Sequence, residues 1–395
     1  MPVLQTLAVA NYRSIRSLVM PLSQLNLITG ANGSGKSSLY RSLRLLAEAA
    51  QGGIVSSLAR EGGLSSTLWA GPETISRGMK KGTVPVQGGP RKEPVHLRLG
   101  FQTDTVGYTI DLGLPAPERP PPSEPTAFAH DPEIKRECVW GGSSLRPSSL
   151  LADRRGPVVR LRRADGDWDT SIAKLATFES MLSVMSDPDR APELLSLREE
   201  VRGWRFYDHF RADSDAPARH TQIGTRTPVL AHDGRDLAAA LQTIREIGDR
   251  PALDAAVEDA FPGAEVDIEH GNGQFTVLFT QHGLLRPLTA AELSDGTLRY
   301  LLWIAALLTP RPPSLMILNE PETSLHPDLL PALARLIEKA SARTQVWVVS
   351  HASRMISALR EAKHCNAITL TKELGETAIE GQGMLDAPPW KWPER

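Results

Sequence analysis

Short apolar runs along the chain predict buried β-strands that alternate with amphipathic helices. Such runs span residues 25–29, 315–318 and 346–349. Apolar residues with helical spacing follow the first run in residues 38–50 and the second run in about 327–340. Because a strand buried on both faces reads as a continuous apolar run, this alternation indicates an α/β fold with a mostly parallel sheet.

The residues between these runs follow other patterns. Residues 95–99 and 106–112 alternate between apolar and polar side chains, which indicates antiparallel strands. Helical spacing appears in about 172–197 and again in 237–247. We therefore predict a split core, an antiparallel β subdomain and an inserted helical subdomain. The predicted parts are residues 1–50 with 285–371 for the core, 51–170 for the β-rich part, 171–284 for the helical and mixed insertion, and 372–395 for a carboxy-terminal extension.

The composition is that of a globular protein without a strong overall charge. Of the 395 residues, 41% are hydrophobic and 23% are charged, and the formal net charge is −2 at pH 7. This balance predicts no strong global attraction to nucleic acid or to an anionic membrane, so any such binding requires a local patch. Cys138 and Cys365 lack metal-ligand spacing and are expected to be unpaired thiols, with a single bridge between them as the alternative.

No segment of the chain has the pattern of a membrane anchor or a secretion signal. The first residues lack a basic stretch followed by an apolar core, and no apolar run reaches the length of a membrane span. We therefore expect a cytoplasmic protein without a membrane partner.

Residues 30–37 read Gly-Ala-Asn-Gly-Ser-Gly-Lys-Ser, a complete phosphate-binding loop pattern between an apolar strand and a helix. The glycines let successive backbone N–H groups surround phosphate oxygens, and the helix N-terminus adds partial positive charge. Lys36 is predicted to reach the β- and γ-phosphates of ATP, and Ser37 to hold Mg²⁺. The alternative is an ordinary Gly-rich turn. The predicted ATP-binding residues are Gly30, Asn32, Gly33, Ser34, Gly35, Lys36, Ser37 and Ser38.

The apolar run at 315–318 ends in Asn319-Glu320, where this kind of site normally has an Asp followed by a Glu. Glu320 is predicted to be the general base that polarises the attacking water. Asn319 is predicted to face the water shell of Mg²⁺, but its amide carries no negative charge and should weaken metal binding. The alternative is that the two residues are merely a strand end before Pro321.

Two further segments are candidates for catalytic roles. Ser294 and Gly296 stand at the start of a helical stretch, where they either contact a nucleotide or form a simple N-cap. His351 follows the apolar run at 346–349, where an imidazole can sense the γ-phosphate. A lone histidine is more often structural, and only the position after this strand favours the catalytic interpretation.

The order of these segments resembles the ABC-type ATPases outside membrane transport, which include RecF, SMC-like repair proteins and the overcoming-lysogenization-defect nucleases. It is most similar to compact bacterial ATPases labelled AAA or AAA-21, through Ser-Asp-Gly-Thr at 294–297 and Glu-Pro-Glu-x-Ser-Leu-His-Pro at 320–327. The resemblance covers about 1–50 and 285–355. It implies an ABC-type head fold and an ATP-dependent homodimer in which Ser294 and Gly296 act in trans. Asn319 departs from the pattern and implies slow turnover.

Two hypotheses for the function follow. In the first, the chain is a slow ATPase in DNA maintenance or antiphage defence, with DNA or an effector protein as partner. In the second, it is a nucleotide-gated scaffold with little hydrolysis. Basic residues fall in two clusters that either contact DNA or form a solvated face, the latter being the commoner case for charged runs. The clusters are Arg154, Arg155, Arg160, Arg162 and Arg163, and Arg77, Lys80, Lys81, Arg91 and Lys92.

Overall fold

The computed structural model describes residues 3–88, 95–116, 126–163, 165–170, 174–185, 187–383 and 386–394. The chain divides into two compact units: a first unit of residues 23–29 and 204–367, and a second unit of residues 2–22, 30–203 and 368–395. The four-part division predicted from the sequence remains a proposal.

The strands and helices are as follows. The strands are β1 Leu4–Tyr12, β2 Ile15–Pro21, β3 Leu25–Gly30, β4 Leu97–Thr103, β5 Val106–Gly113, β6 Glu133–Gly141, β7 Leu150–Arg155, β8 Val158–Arg162, β9 Trp168–Asp169, β10 Arg205–Tyr207, β11 Gln222–Ile223, β12 Glu265–Gly271, β13 Gln274–Thr280, β14 Leu288–Thr289, β15 Leu315–Asn319, β16 Gln345–Val349, β17 Cys365–Glu373 and β18 Glu376–Ile379. The helices are α1 Lys36–Gln51, α2 Ile54–Arg60, α3 Leu64–Thr67, α4 Arg77–Lys80, α5 Met181–Val184, α6 Pro192–Gly203, α7 Leu237–Ile247, α8 Arg250–Ala260, α9 Asp295–Leu307, α10 Leu330–Ser341 and α11 Ser353–Arg360.

The first unit contains a parallel sheet in the order β10-β15-β16-β3. Every residue of β16 is buried, and so are the first four residues of β15. Strands of this kind require cover on both faces, which is why they read as continuous apolar runs. The predicted α/β fold with a mostly parallel core sheet is therefore confirmed.

Helix α9 lies at the centre of the first unit's hydrophobic core. All ten residues from Leu298 to Leu307 are buried, including Arg299. A helix that is apolar all round is stable only when neighbours enclose it. Residues of α7, α8 and α10 belong to the same cluster, as do residues of the antiparallel strands β12 and β13.

The second unit contains an eight-stranded sheet in the order β2-β1-β4-β5-β6-β7-β8-β9, with antiparallel pairing throughout. It includes the alternating segments from which the antiparallel β subdomain was predicted. The carboxy-terminal segment packs on the same sheet: the rings of Trp390 and Trp140 lie 5.6 Å apart. A Cβ atom at Gly100 would meet the Trp390 ring at 2.6 Å, so only glycine fits at this point of β4.

The arginine cluster in β7 and β8 is part of this sheet, and the hypothesis of a basic surface is wrong for Arg154. Its side chain is fully buried and pairs at 3.3 Å with Glu137, which is fully buried as well. The guanidinium also donates to the carbonyls of Ala176, Glu179 and Gly156. Arg160 pairs with Asp153, and Arg163 with Asp169. Of the second cluster, Arg91 and Lys92 lie outside the described residues.

Several elements were not predicted from the sequence, among them α8, α11, the short strand β10 and the hairpin β17–β18. Among the described residues, no helix combines the length and the apolar character that a membrane span requires.

Candidate functional site

The carboxyl ends of three parallel strands lie at one edge of the first unit's sheet. In the register of the sheet, Ile28 of β3 pairs with Val349 of β16, which in turn pairs with Asn319 of β15. The phosphate-binding loop leaves β3 at this edge, and the segments that begin at Glu320 and Ser350 leave the other two strands there. In open α/β sheets, ligands bind outside the carboxyl ends of the strands.

The backbone of the phosphate-binding loop requires its glycines. Gly30, Gly33 and Gly35 have φ values of 143°, 79° and 110°, which favour glycine. A Cβ atom at Gly35 would overlap the side chain of Thr377, a buried residue of β18. Thr377 Oγ1 also donates to the carbonyl of Ser34 at 2.9 Å and lies 2.8 Å from Ser14 Oγ. Thr377 therefore packs against the loop at Gly35 and binds its backbone at Ser34, although no sequence pattern indicated this role.

The polar side chains of the loop suit a phosphate ligand. The Lys36 ammonium is largely buried and donates to the carbonyls of Gly30 at 2.6 Å and Ala31 at 3.1 Å. Ser34 Oγ is buried and has no hydrogen-bond partner among the described residues. Ser37 is exposed in the first turn of α1, where a helix leaves its N–H groups without intrahelical partners. Buried donors, free N–H groups and an exposed hydroxyl together fit the phosphates and Mg²⁺ of a nucleotide.

Asn319 ends β15 next to an acidic residue that the sequence did not indicate. Its Nδ2 donates to Asp208 Oδ1 at 3.5 Å, across 111 positions of sequence. Asp208 follows directly after β10, the neighbour of β15 in the sheet. The polar end of this strand pair thus contains one amide and one carboxylate.

Glu320 adopts a conformation that is uncommon for a residue with a side chain. Its φ is 51°, in the left-handed region, and its N–H donates to the carbonyl of Val349 at 2.8 Å. Such backbone conformations cost about 1–3 kcal/mol and occur preferentially at functional positions. The Glu320 carboxylate lies 3.7 Å from His351 Nδ1, and both side chains are about half exposed. The structure therefore places the predicted base and the predicted sensor together.

Glu322 holds the segment that carries His351. Its Oε1 accepts hydrogen bonds from Ser350 Oγ at 2.7 Å, from the His351 N–H at 2.9 Å and from the Ala352 N–H at 3.1 Å. The side chain is buried, and its Oε1 lies 3.6 Å from the imidazole of His351. With three donors on one carboxylate oxygen, Glu322 fixes the short segment between β16 and α11.

Ser294 is the N-cap of α9, as the simpler of the two interpretations predicted. Its hydroxyl accepts from the Thr297 N–H at 3.1 Å, yet Ser294 itself is exposed. A Cβ atom at Gly296 would contact only the carbonyl of Ser324, at 3.5 Å, and Ser324 also has a positive φ of 60°. The N-cap is compatible with a contact between this exposed segment and a nucleotide, and that contact remains a prediction.

Arg219 fixes the segment that precedes α9. The guanidinium is largely buried and donates to the carbonyls of Ala290, Ala291 and Leu293, at 3.1, 3.2 and 2.7 Å. It also pairs with Asp295 at 2.6 Å, beside Ser294. Because one buried guanidinium donates to several carbonyls of this segment and to Asp295, the Ser294 segment has a defined position.

Comparison with known proteins bears on the family and the fold of the chain. The sequence model of a family described as "AAA domain, putative AbiEii toxin, Type IV TA system" matches residues 25–353. A solved SMC head, bound to the C-winged helix domain of ScpA, covers 98% of this chain and 100% of its own at 13% identity and a TM-score of 0.52. No curated protein matches the sequence.

Two further SMC heads match less closely in structure. The Smc head from Pyrococcus furiosus, with an extended coiled coil and the C-terminal domain of ScpA, covers 96% of both chains at 13% identity and a TM-score of 0.48. The SMC head from Thermotoga maritima covers 95% of this chain and 98% of its own at 14% identity and a TM-score of 0.44. The predicted resemblance to ABC-type P-loop ATPases is confirmed by the matching family and by the fold of the SMC head that is bound to the C-winged helix domain of ScpA.

Proposed function

This chain belongs to the AAA domain family whose sequence model it matches, and we propose that it binds ATP with Mg²⁺ and hydrolyses it slowly as an ABC-type ATPase. The observation that carries the proposal is the shared edge of the parallel sheet. The phosphate-binding loop, the Glu320 segment and the His351 segment all leave the sheet there. They follow β3, β15 and β16, which are neighbours in the sheet.

The phosphate-binding loop supplies the contacts to the nucleotide. Backbone N–H groups between Gly30 and Ser38 would surround the phosphate oxygens, and Asn32 lies exposed at the tip of the loop. Lys36 would exchange its bonds to the loop carbonyls for bonds to the β- and γ-phosphates. The Ser37 hydroxyl would hold Mg²⁺, which neutralises charge on the phosphates during transfer.

Glu320 would polarise the attacking water, and His351 would hold it or sense the γ-phosphate. The 3.7 Å separation of the two side chains allows both to contact one water molecule. Asn319 would accept a hydrogen bond from metal-bound water through its amide oxygen. Since neutral hydrogen bonds are weaker than charge-assisted ones, this substitution supports slow turnover.

The same fold supports a homodimer closed by ATP. Ser294 and Gly296 would contact the nucleotide of a second copy in trans, and the Arg219 network keeps that segment in place. The solved SMC head of matching fold is described as bound to a domain of ScpA. By analogy, we propose an effector protein as partner and DNA maintenance or antiphage defence as the process served. The family description, which names a toxin–antitoxin system, favours defence.

Steady-state ATP hydrolysis with Mg²⁺ tests the proposal, with and without duplex DNA and with molecular mass followed in parallel. We expect Glu320→Gln to reduce turnover by about 10²–10⁴-fold and to retain an ATP-dependent dimer. Lys36→Ala should abolish nucleotide binding. Glu361→Gln, an exposed carboxylate after α11, is the matched control. Absence of ATP binding in the wild type would overturn the proposal.

The nucleotide-gated scaffold is the second candidate, and Asn319 favours it. For a scaffold, the wild type should dimerise with ATP but show no turnover above that of Glu320→Gln. If Asn319→Asp then raises turnover, the amide itself limits hydrolysis. A wild-type rate well above that of Glu320→Gln excludes the scaffold.

A further inference from the structure

We propose that Asp208 supplies the carboxylate that Asn319 lacks, so that the two residues together face the water shell of nucleotide-bound Mg²⁺. This inference rests on the proposed function. It assigns Asp208, a residue outside every motif described above, to the metal side of the nucleotide site.

The register of the sheet places Asp208 beside Asn319. In the pairing of β10 with β15, Phe206 is opposite Ile317 and Tyr207 is opposite Leu318. Asn319 is the next and last residue of β15, and Asp208 is the first residue after β10, at the carboxyl edge where the other site segments begin. The pairing itself ends at Tyr207 and Leu318, and the contact from Asn319 Nδ2 to Asp208 Oδ1 shows that the two residues just beyond it remain adjacent.

The contact between the two side chains orients the amide. An ionised carboxylate only accepts hydrogen bonds, so the Asn319 group that faces Asp208 has to be the NH₂. The observed 3.5 Å contact runs from Asn319 Nδ2 to Asp208 Oδ1. The amide oxygen of Asn319 is thereby left to accept a bond from elsewhere, which is the function proposed for it.

Buried contacts hold the residues after Asp208 in place. Arg299 of α9 donates through Nε to the carbonyl of Phe210 at 3.0 Å and through Nη2 to His209 Nε2 at 3.2 Å. Because a guanidinium can only donate, His209 Nε2 is the acceptor in this contact. Asp208 therefore lies between a paired strand and a segment held by Arg299, which limits its movement away from Asn319.

The charge at this edge is appropriate for Mg²⁺. This ion keeps several of its waters and is held in proteins through one or two carboxylates plus substrate phosphates. Asp208 is half-buried, so its charge is screened less than that of a surface aspartate. A carboxylate beside Asn319 would restore the charge-assisted hydrogen bonds to metal-bound water that the amide alone cannot make.

Exchange of the two side chains tests this inference. The probe is Mn²⁺, titrated by electron paramagnetic resonance into the full-length protein loaded with a non-hydrolysable ATP analogue. We expect Asp208→Asn to weaken Mn²⁺ binding by about 10–100-fold. The double variant Asp208→Asn with Asn319→Asp should recover most of the affinity, because it moves the carboxylate to the adjacent strand. Asp215→Asn, an exposed aspartate in the loop after β10, is the matched control and should bind as the wild type does.

The outcomes separate this inference from the proposed function. Binding of the analogue without metal, measured by calorimetry, should be the same in all variants, and its absence in the wild type would overturn the proposed function instead. Wild-type Mn²⁺ affinity in Asp208→Asn would overturn the role of Asp208. If Asp208→Asn is poorly folded, the double variant provides the test instead. A folded double variant that binds Mn²⁺ much more weakly than the wild type also overturns the role of Asp208.

Discussion

The two sheets of this protein place their charged residues differently. In the parallel sheet of the first unit, β15 and β16 are apolar in their interiors, and the polar residues within them are the first residue of β16, Gln345, and the last residue of β15, Asn319. In the eight-stranded sheet of the second unit, charged residues lie fully buried within the strands. Glu137 accepts hydrogen bonds from Tyr108, Ser180 and the Met181 N–H, and it pairs with Arg154.

The difference separates structural charges from those of the candidate site. The acceptor and donor groups of the Glu137–Arg154 pair are occupied by protein atoms, so the pair has no capacity left for a ligand. The side chains at the strand ends are less enclosed: Glu320 and His351 are about half exposed and contact each other only at 3.7 Å. A charged residue in the sequence therefore indicates a site only when its hydrogen-bonding groups are not all taken up by structural contacts.

Removal of Arg154 should have the largest effect on stability. Arg154→Ala leaves the buried Glu137 carboxylate without its cation, which typically costs about 3–5 kcal/mol. Urea unfolding of the full chain would measure the loss. Arg155→Ala, the neighbour with an exposed side chain, should cost less than about 1 kcal/mol. Equal free energies of unfolding in the two variants would show that the buried Glu137–Arg154 pair does not stabilise the fold.

Glu322→Gln should reduce turnover with a smaller effect on folding. The amide keeps an acceptor but loses the charge that holds Ser350 and the His351 N–H. Misplacement of a catalytic group by about 1 Å can cost about 10²-fold in rate, so we expect a fall in kcat approaching that size with little change in ATP affinity. Single-turnover ATP hydrolysis checks this, with Glu361→Gln as control. An unchanged kcat would mean that the segment after β16 holds its position without the charge of Glu322.

The smallest predicted effect concerns the pH dependence of stability. Burial, and next the charge of Asp104, raise the pKa of Glu200 in α6 to about 7. The folded state therefore keeps a proton that the unfolded state loses near pH 4.5, and this group's contribution to stability falls as the pH rises from about 4.5 to 7. Melting temperatures from pH 5 to 8 should decline less in Glu200→Gln than in the wild type. Glu199→Gln, at an exposed position, should follow the wild type.

Much of the candidate site could be predicted because its motifs are local. The phosphate-binding loop is eight consecutive residues, and its glycines have the positive φ values that the motif requires. Glu320 and His351 were predicted separately, each from an apolar strand followed by polar residues. Asp208 and Thr377 could not be found in this way. Asp208 follows a strand of only three residues, and Thr377 acts through contacts to residues about 340–360 positions earlier in the chain.

By itself, the sequence determined the α/β class, the phosphate-binding loop and the polar strand ends, since backbone conformation and burial leave short-range patterns of residue types. Only the tertiary structure decided which charges are enclosed and which are accessible. It buried Arg154 against Glu137, brought Asp208 beside Asn319 and set the imidazole of His351 near Glu320. The physical reason is that strand order and register are set by the packing of the whole core, and no local pattern records them.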